Sequence, residues 1–464
     1  MTGTGAYTNL VNSRRFALGS RRFAAAVVLG TAVRLAALPL PGTNDVSVFK
    51  IWSFAAARES PGRLYGVGGN PPIRRTISLH GAETTIDYPP LALAELGVAG
   101  RIYRSLNHGR YPDNTWLVVA VKTPALVADA GVLILLYFGL RRLAGEVPAR
   151  WAAVVYWLNP AVVLEAPILG YLDPLFLLPA MASLVAAADR PAIAGALGAV
   201  ALLTKPQAVL VAPALALAVV ASGTSADRVR RAARTASAAS IVLAAGVAPI
   251  VIAGAWPNFL NAMDRLRHHD MLSANACNLW WIVGYALRAY YSMHDLGVWA
   301  AFTAPVRILG IGRVMELGYP NPREIGTALT LAAFGWAIWT ARRTGDLWAA
   351  SALAALLVHT YSTLSAQVHE NHLFAAVPFL TLAAAGRPAF RPILGALSAI
   401  YALNLNVFYG ISEGMGYAIP RAVTVIDLTV VLSLLNCGVL GWHMAVFSRE
   451  CSRAGARRPE PAPA

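Results

Sequence analysis

Two aspartates in one polar stretch, Asp45 and Asp87, have the side chains and setting for acid–base chemistry. Asp45 precedes the apolar run 46–54, and Asp87 precedes a Tyr-Pro-Pro segment. A carboxylate can take a proton from a hydroxyl group, and such general-base catalysis typically contributes about 10²–10⁴-fold to a rate. An aspartate before a helical run can instead cap the free amide groups of that helix. Both interpretations of Asp45 stay open, whereas the proline-opened run after Asp87 favours the cap.

A second polar segment, residues 367–372, carries two histidines and a glutamate. His369 and His372 are three positions apart and would share one face of a helix, with Glu370 between them. The His-Glu-x-x-His zinc pattern needs its histidines four positions apart, so this spacing does not predict a zinc site. The cluster suits a pocket for a phosphate and a sugar, and the alternative is a hydrated loop.

A third segment combines basic, amide and aromatic side chains. Arg265 and Arg267 could hold a lipid phosphate, while Asn275, Asn278 and Trp280 could bind a sugar. A tryptophan can otherwise anchor at the headgroup level of a membrane, but the neighbouring asparagines favour binding. No Walker motif or nucleotide-binding fingerprint occurs in the sequence, so a nucleotide-sugar donor or coupling to ATP is not supported.

The composition is that of a polytopic membrane protein. Of the 464 residues, 57% are hydrophobic and 13% are charged, and the mean hydropathy is +0.54; soluble domains carry about 25% charged residues. The net charge of +15 would fit a nucleic-acid-binding protein, but many arginines lie in short loops between apolar runs, as membrane topology requires. Nucleic acid is therefore not an expected partner. Three cysteines are too few for a disulfide framework and show no metal spacing.

The apolar runs predict an all-α membrane domain with about 12 spanning helices, within a range of roughly 10–14, because a span needs about 20 apolar residues or fewer in a thin bilayer. Short flexible ends are expected on both sides of this domain, as a cytoplasmic segment at 1–22 and a cytoplasmic tail at 447–464 around the membrane domain 23–446. The expected spans are 23–41, 115–140, 149–166, 173–188, 191–204, 206–222, 235–254, 325–341, 347–365, 373–386, 392–409 and 422–446.

The positions of the arginines predict the orientation of this domain. Four arginines before the first span place the N-terminus in the cytoplasm, and the arginines of later short loops agree with an even number of spans. If the apolar run 89–103 crossed the membrane, every later basic loop would move outside. We therefore expect an interfacial helix there, opened by proline, and a second interfacial helix at 279–290. The outer loops are then 42–114 and 255–324.

Charged residues within the expected spans are candidates for function, because burying them in a membrane is costly. Arg34, Lys122, Glu165, Asp173 and Lys205 all fall toward the outer ends of their spans and could line one outward-facing cavity. The alternative for each residue is snorkelling or pairwise neutralisation, for example of Lys122 by Asp173.

In this order, the segments resemble the GT-C superfamily of polytopic glycosyltransferases, which use lipid-phosphate-linked sugars. The first-loop aspartate, the later Asp87-Tyr88-Pro89-Pro90-Leu91 segment and Val368-His369-Glu370 are similar to dolichyl-phosphate-glucose glucosyltransferases. The segments Thr204-Lys205-Pro206-Gln207 and Asn275-Ala276-Cys277-Asn278-Leu279-Trp280 look more like bacterial mannosyltransferase-type members. Asn44-Asp45-Val46 replaces the Gly-Asp-aromatic-Glu run of the eukaryotic enzymes, so the identity of the substrate does not carry over.

The resemblance implies that Asp45 is the catalytic base, that Asp87 is a second acidic residue near the acceptor, and that His369 contacts the donor phosphate. The expected reaction is an inverting transfer of a hexose of mannose or glucose type, or of a pentose. The candidates for stabilising the departing phosphate are Lys205, His369, Arg265 and Arg267. Its partners would be a polyprenyl-phosphate-sugar donor, a lipid-linked or cell-envelope glycan acceptor, and membrane lipids.

The expected location of the reaction is the outer face of the plasma membrane. No cofactor is predicted with certainty; Asp45 and Asp87 could bind a divalent metal, but two ligands are too few to predict one. Two alternatives stay open: a flippase or transporter of lipid-linked sugars, and an oligosaccharide ligase on a similar scaffold.

Overall fold

The computed structural model describes residues 19–69, 71–72, 74–221, 224–265, 271–293, 321–411 and 427–456. Within these ranges the chain is mostly helical, and its strands form two small two-stranded sheets. In the amino-terminal half the helices and strands are α1 (Ser20–Ala37), α2 (Asn44–Ala56), β1 (Thr76–Leu79), β2 (Ala82–Thr85), α3 (Pro90–Leu106), α4 (Thr115–Ala144), α5 (Glu146–Trp157), α6 (Pro160–Ile168), α7 (Asp173–Ala186), α8 (Pro191–Thr204) and α9 (Pro206–Val220).

The carboxyl-terminal half continues the helical bundle. Its elements are α10 (Ser225–Ile252), α11 (Trp256–Arg265), β3 (Ser273–Ala274), α12 (Leu279–Met293), α13 (Pro322–Ala341), α14 (Leu347–Leu364), β4 (Val368–His369), α15 (Ala376–Gly386), α16 (Arg391–Tyr409) and α17 (Leu428–Ala456). Short 3₁₀ turns lie at Pro61–Arg63, Glu370–Leu373 and Pro388–Phe390.

Several of these helices are long and apolar enough to cross a membrane. Among the described residues, five helices meet this condition, and the pair α5–α6, bent by 48°, would be a sixth span. The apolar helices α7, α8 and α9 are shorter. A helix lies at each span that the sequence predicts, so the chain is a helical membrane protein, and the total of about 12 crossings stays a prediction.

Polar caps and prolines set the helix ends. The Asn114 side chain accepts hydrogen bonds from the first turn of α4, and Thr224 with Asp227 forms a capping box at the start of α10. Helix α8 ends at Thr204 because Pro206 cannot continue it, and Lys205 between them is extended with φ −150°. The break directs the buried Lys205 side chain into the interior between the helices.

Small residues allow the central helices to pack closely. Residues 349–360 of α14 and 376–385 of α15 are all buried, and alanine is the commonest residue in both stretches. Small side chains let helix backbones approach each other, which is how helices associate in a membrane.

Two predictions about the ends and loops are changed by the structure. The loop 42–114 contains the antiparallel hairpin β1–β2, which was not expected from the sequence. Helix α17 continues to Ala456, so residues 447–456 of the predicted tail are helical. The predicted helices at 89–103 and 279–290 are present as α3 and α12.

Arg34 and Lys122 stabilise the bundle and do not line the cavity described below. The Arg34 guanidinium lies 2.6 Å from an Asp129 carboxylate oxygen, and Tyr156 donates to the other oxygen at 2.5 Å. Lys122 Nζ donates to the carbonyls of Leu40 and Ile168 at 2.7 and 2.8 Å. The proposed neutralisation of Lys122 by Asp173 is therefore wrong; backbone carbonyls take that place.

Candidate active site

A cavity of about 740 Å³ lies where the loop 42–114 meets the helical bundle. One part of its wall is polar and aromatic, and another part is aliphatic. The polar and aromatic lining comprises Asp45, Phe49, Trp52, Thr84, Asp87, Tyr88, Lys205, Gln207, Phe259, Tyr361, Gln367, His369, Asn371 and His372. The aliphatic lining comprises Val48, Leu202, Leu203, Val209, Leu210, Leu243, Val247 and Met263, together with three prolines.

Asp45 reaches the cavity from the first turn of α2. Gly42 precedes the helix with φ +79°, and a Cβ there would lie 2.6 Å from the Leu169 carbonyl oxygen, so the turn requires glycine. The N-cap residue is Thr43, and no side chain caps this helix. The cap interpretation of Asp45 is therefore wrong, and its carboxylate is available to the cavity.

The surroundings of Asp45 give it the acidity of a base that works near neutral pH. The pKa of Asp45 is raised to about 7: burial is the largest cause, the nearby Glu370 carboxylate adds to the rise, and the Lys205 ammonium opposes both effects. A general base is most effective when its pKa lies near the working pH. The site therefore holds a carboxylate that can take a proton and release it again.

The pKa of Asp45 predicts the pH dependence of the reaction. Because the base must be deprotonated, kcat/KM should rise as the pH increases through about 7 and level off above it. In Glu370→Gln the acid limb should move to lower pH, since one of the causes that raise the pKa of Asp45 is removed. The measurement is initial rate against pH for both proteins; an acid limb that is the same in both would contradict this role of Glu370.

Asp87 also lines the cavity, and it does not cap α3. The N-cap of α3 is Pro89, without a side-chain cap, so the favoured interpretation of Asp87 as a helix cap is wrong. The loop that carries Asp87 is held by Trp52, whose indole N–H donates to the Thr85 carbonyl at 3.2 Å, and by Tyr65, which donates to the Tyr88 carbonyl at 2.7 Å. The hairpin and these two bonds present Asp87 beside the aromatic wall.

Lys205 is paired inside the protein. Its Nζ lies 2.7 Å from Asp173 Oδ2, with both side chains at most 4% exposed, and Asn371 donates to the same oxygen at 3.2 Å. Apart from the histidines, Lys205 is the only basic side chain among the described residues that line the cavity. A phosphate in the cavity would therefore meet an ammonium that Asp173 already holds in place.

Glu370 and Glu165 are buried behind this pair. Tyr171 donates to Glu370 Oε1 at 2.5 Å, and Tyr409 donates to the same oxygen at 2.9 Å. Burial raises the pKa of Glu370, and these two hydrogen bonds oppose the rise. Tyr401 donates a short hydrogen bond to Glu165. One oxygen of each glutamate has no hydrogen-bond partner, so both carboxyls have capacity for a proton.

The two histidines of the 367–372 segment lie together at the cavity wall. Their ring centroids are 5.6 Å apart, and His372 Nε2 is 2.8 Å from the amide nitrogen of Gln207, which donates to it. The pKa of His369 is lowered to about 4, mainly by burial and also by the positive charge of Lys205. His369 is therefore neutral at pH 7 and would act on a phosphate as a hydrogen-bond donor, not as a positive charge.

A short parallel pairing brings the second outer region to this segment. Strand β3 pairs with β4, and Asn275 bridges to His369. The Asn275 amide donates to the Tyr409 hydroxyl at 3.1 Å, which in turn donates to Glu370. Asn275 therefore supports the site from behind and does not line the cavity.

The other predicted residues of this region have structural roles or fall outside the description. Asn278 donates to the Ser362 carbonyl at 3.2 Å and accepts from the backbone of α12, and the Trp280 indole donates to the Leu364 carbonyl at 2.8 Å. Both are buried and neither lines the cavity, so their assignment to the pocket is not supported. Arg267 and the side chain of Arg265 lie outside the described residues.

Sequence reasoning missed the tyrosines that hold the buried carboxyls. Tyr171, Tyr401 and Tyr409 carry no local motif, and their partners are distant in the chain: Tyr171 and Glu370 are 199 residues apart. Gln207 and Asn371 could have been predicted, because they lie in the polar segments 204–207 and 367–372, next to Lys205 and His372. Within the described ranges, no group of three or more His, Cys, Asp or Glu residues is arranged to hold a metal ion.

Comparison with known proteins adds little to this geometry. No model of a protein family matches the chain, and no curated protein matches it. Among solved structures, it is similar to the Archaeoglobus fulgidus oligosaccharyltransferase, crystallised with a disulfide-tethered acceptor peptide that contains the NVT sequon. The identity is 12%, the TM-score is 0.41, and the match covers 95% of this chain and 56% of the other. The chain thus spans little more than half of that protein, and function has to be argued from the site.

Proposed function

We propose that this protein is an integral-membrane glycosyltransferase of GT-C type, which moves a sugar from a polyprenyl-phosphate donor to a glycan or lipid-linked acceptor. One observation carries the proposal. The cavity holds a carboxylate with a pKa of about 7 among polar groups, and the same cavity continues into an aliphatic wall. A sugar and a phosphate fit the polar part, and a lipid chain fits the aliphatic part.

In the proposed reaction, the carboxylate of Asp45 removes the proton of an acceptor hydroxyl. The resulting oxygen attacks the anomeric carbon from the face opposite the phosphate, so the configuration inverts. The bond between the anomeric carbon and the phosphate oxygen breaks, and its electron pair leaves with the polyprenyl phosphate. Asp87 lies beside the acceptor, where the aromatic rings of Trp52 and Tyr88 offer faces to a sugar.

Negative charge develops on the leaving phosphate, and stabilising such charge is often the largest contribution to catalysis. Lys205 supplies the positive charge at the cavity, and neutral His369 supplies a hydrogen-bond donor. The acid cluster of Asp173, Glu165 and Glu370 lies behind Lys205. A phosphate could therefore approach Lys205 from the cavity side only.

Transfer of radioactive sugar tests the proposal directly. Purified protein in lipid vesicles is incubated with labelled polyprenyl-phosphate sugars and candidate glycan or lipid-linked acceptors. Label in a new glycosidic bond, with the opposite anomeric configuration, is the expected result. Label that crosses to the other leaflet without bond formation would instead identify a flippase, and would overturn the proposal.

His369 offers a separate test of the donor phosphate. His369→Ala should raise KM for the donor about 10–100-fold, because a hydrogen bond to a charged group contributes about 1.5–3 kcal/mol. The matched control is His108→Gln, at an exposed histidine of the first outer loop, which should leave KM unchanged. Steady-state kinetics with varied donor concentration make the comparison, and equal KM values in the two variants would contradict the role of His369.

A further inference from the structure

A second cavity adjoins the first one. It has a volume of about 300 Å³ and lies between α8, α9 and α10. Three residues, Leu202, Val209 and Leu243, line both cavities, one from each of these helices. The second cavity, which we call the side crevice, therefore shares part of the aliphatic wall of the catalytic cavity.

The order of the lining residues gives the side crevice a direction. On α8 it runs from Leu202 back to Gly195, and on α10 from Leu243 back to Ala232. At 1.5 Å per residue these stretches span about 10 and 16 Å. On α9 the lining continues to Val220, so all three helices place their shared residue at the same end. The side crevice leads away from Asp45 for ~10–16 Å along the helices.

The wall of the side crevice is hydrocarbon. Apart from Ser183 and Thr235, every described lining residue is Gly, Ala, Val or Leu. Ser183 donates its hydroxyl proton to the Ala180 carbonyl, and Thr235 donates to the carbonyls of Pro191 and Arg231. Their polar atoms are satisfied by the protein's own backbone, so nothing in the wall attracts water or a polar ligand, and an apolar cavity of this kind takes apolar guests.

One side of the side crevice faces the surroundings of the protein. Helix α10 is among the apolar helices long enough to cross a membrane, yet only 6% of its most apolar window is buried. Its side chains Ile241 and Ile252 are exposed. A lipid chain could therefore enter from the bilayer without passing through the polar cavity.

Two of the helices that line the side crevice lie very close together near its far end. The backbones of α8 and α10 approach closely at Gly195, where an added Cβ would lie 2.1 Å from the Thr235 carbonyl oxygen. Only glycine allows this approach. The contact limits how far a chain can extend between the two helices.

From this shared wall and from the limited length, we infer that the side crevice holds the part of the donor's hydrocarbon chain that follows the aliphatic wall of the catalytic cavity, and that it sets the chain length that contributes to binding. The inference rests on the proposed function for the polar end of the ligand. It adds that α8, α9 and α10 determine which chain lengths bind best. Ala236 and Ala216 would then affect the selectivity for chain length although they lie far from the sugar. Chain carbons beyond the far end would remain in the bilayer and add no specific affinity.

Binding of lipid phosphates of increasing length tests the inference. Dimethylallyl, geranyl, farnesyl and geranylgeranyl phosphate are bound to the full chain in lipid nanodiscs, as wild type, Ala236→Trp and Ala245→Trp. Ala236 lines the side crevice, whereas Ala245, also exposed on α10, lines neither cavity. Both variants are in the same lipid nanodiscs, so the partitioning of each lipid phosphate into the bilayer is the same for both. It therefore cancels in the ratio of their affinities.

The affinity of Ala245→Trp should rise from dimethylallyl to farnesyl phosphate and then level off. Ala236→Trp should level off at a shorter chain and bind farnesyl phosphate at least about tenfold more weakly than Ala245→Trp, as expected when two or more methylene groups lose their contacts. The inference would be overturned if the two variants had the same affinity, or if their affinities differed by the same factor at every chain length.

Crosslinking gives a readout that does not depend on a folded variant. Farnesyl phosphate with a diazirine at its far end should label wild-type peptides from α9 or α10; labelling confined to the first outer loop would overturn the inference. The proposed function is judged separately by sugar transfer. If binding depends on chain length as expected but no sugar is transferred, the side crevice is still a lipid-binding site and the proposed transferase function is wrong.

Discussion

Asp45→Asn is expected to reduce sugar transfer by about 10²–10⁴-fold, the usual contribution of a general base. The asparagine has the same shape but cannot accept the proton of the acceptor hydroxyl. Since Asp45 lies at the start of α2 without capping it, the fold should persist. Affinity for the donor should remain within a few-fold of wild type or increase, because a negative charge near the phosphate is removed. Single-turnover rates and donor binding to the same preparation are measured together.

Asp113→Asn is the matched control for Asp45. Asp113 also belongs to the first outer loop, but it is half exposed, forms an ion pair with Lys50 at 2.7 Å and does not line the cavity. Its variant should transfer sugar at the wild-type rate. Near-normal turnover in Asp45→Asn, or an equal loss in both variants, would reject Asp45 as the base.

Lys205→Met is expected to lower stability by about 3–5 kcal/mol, because it leaves the Asp173 carboxylate buried without its partner. It should also abolish transfer, since the cavity loses its positive charge. The loss of stability is measured as a fall in Tm in detergent. The pair Lys50–Asp113 lies at the surface, where an ion pair contributes about 0–1 kcal/mol, so Lys50→Met should have little effect on Tm.

The double variant Lys205→Met/Asp173→Asn separates folding from catalysis. Removing both charges eliminates the unpaired buried ion, so much of the lost stability should return. Transfer should stay undetectable, because no positive charge faces the leaving phosphate. Recovery of activity together with stability would show that Lys205 is needed for folding alone. A double variant no more stable than Lys205→Met would show that the pair does not stabilise the bundle as described.

The elements that position the site could be predicted from local patterns. A helix lies at each apolar run of the expected spans, and the proline-opened run at 89–103 is a helix, α3. These features follow from hydrophobic length and from the backbone restrictions of proline, which act within a few residues. The hairpin β1–β2 was missed because its strands are only four residues long and because β2, Ala-Glu-Thr-Thr, does not alternate between apolar and polar residues.

The partners of the charged residues could not be predicted in the same way. Lys122 and Lys205 both lie in apolar surroundings, and the sequence suggested Lys122 as the partner of Asp173. In the structure Lys122 binds carbonyls and Lys205 binds Asp173. The difference arises from the break at Pro206, which aims one side chain across the bundle. Similarly, Asn278 and Trp280 look like binding residues in the sequence, but their nearest acceptors are backbone carbonyls at the end of α14.

The membrane character, the helices and the polar segments that carry Asp45, Lys205 and His369 are properties of the sequence, because composition and periodicity express burial directly. The folded chain settles which of these groups share a cavity, which carboxylate is paired and which is left with a pKa near 7. Those properties depend on distances between residues far apart in the chain, as between Tyr171 and Glu370, and on the low dielectric that burial creates around them.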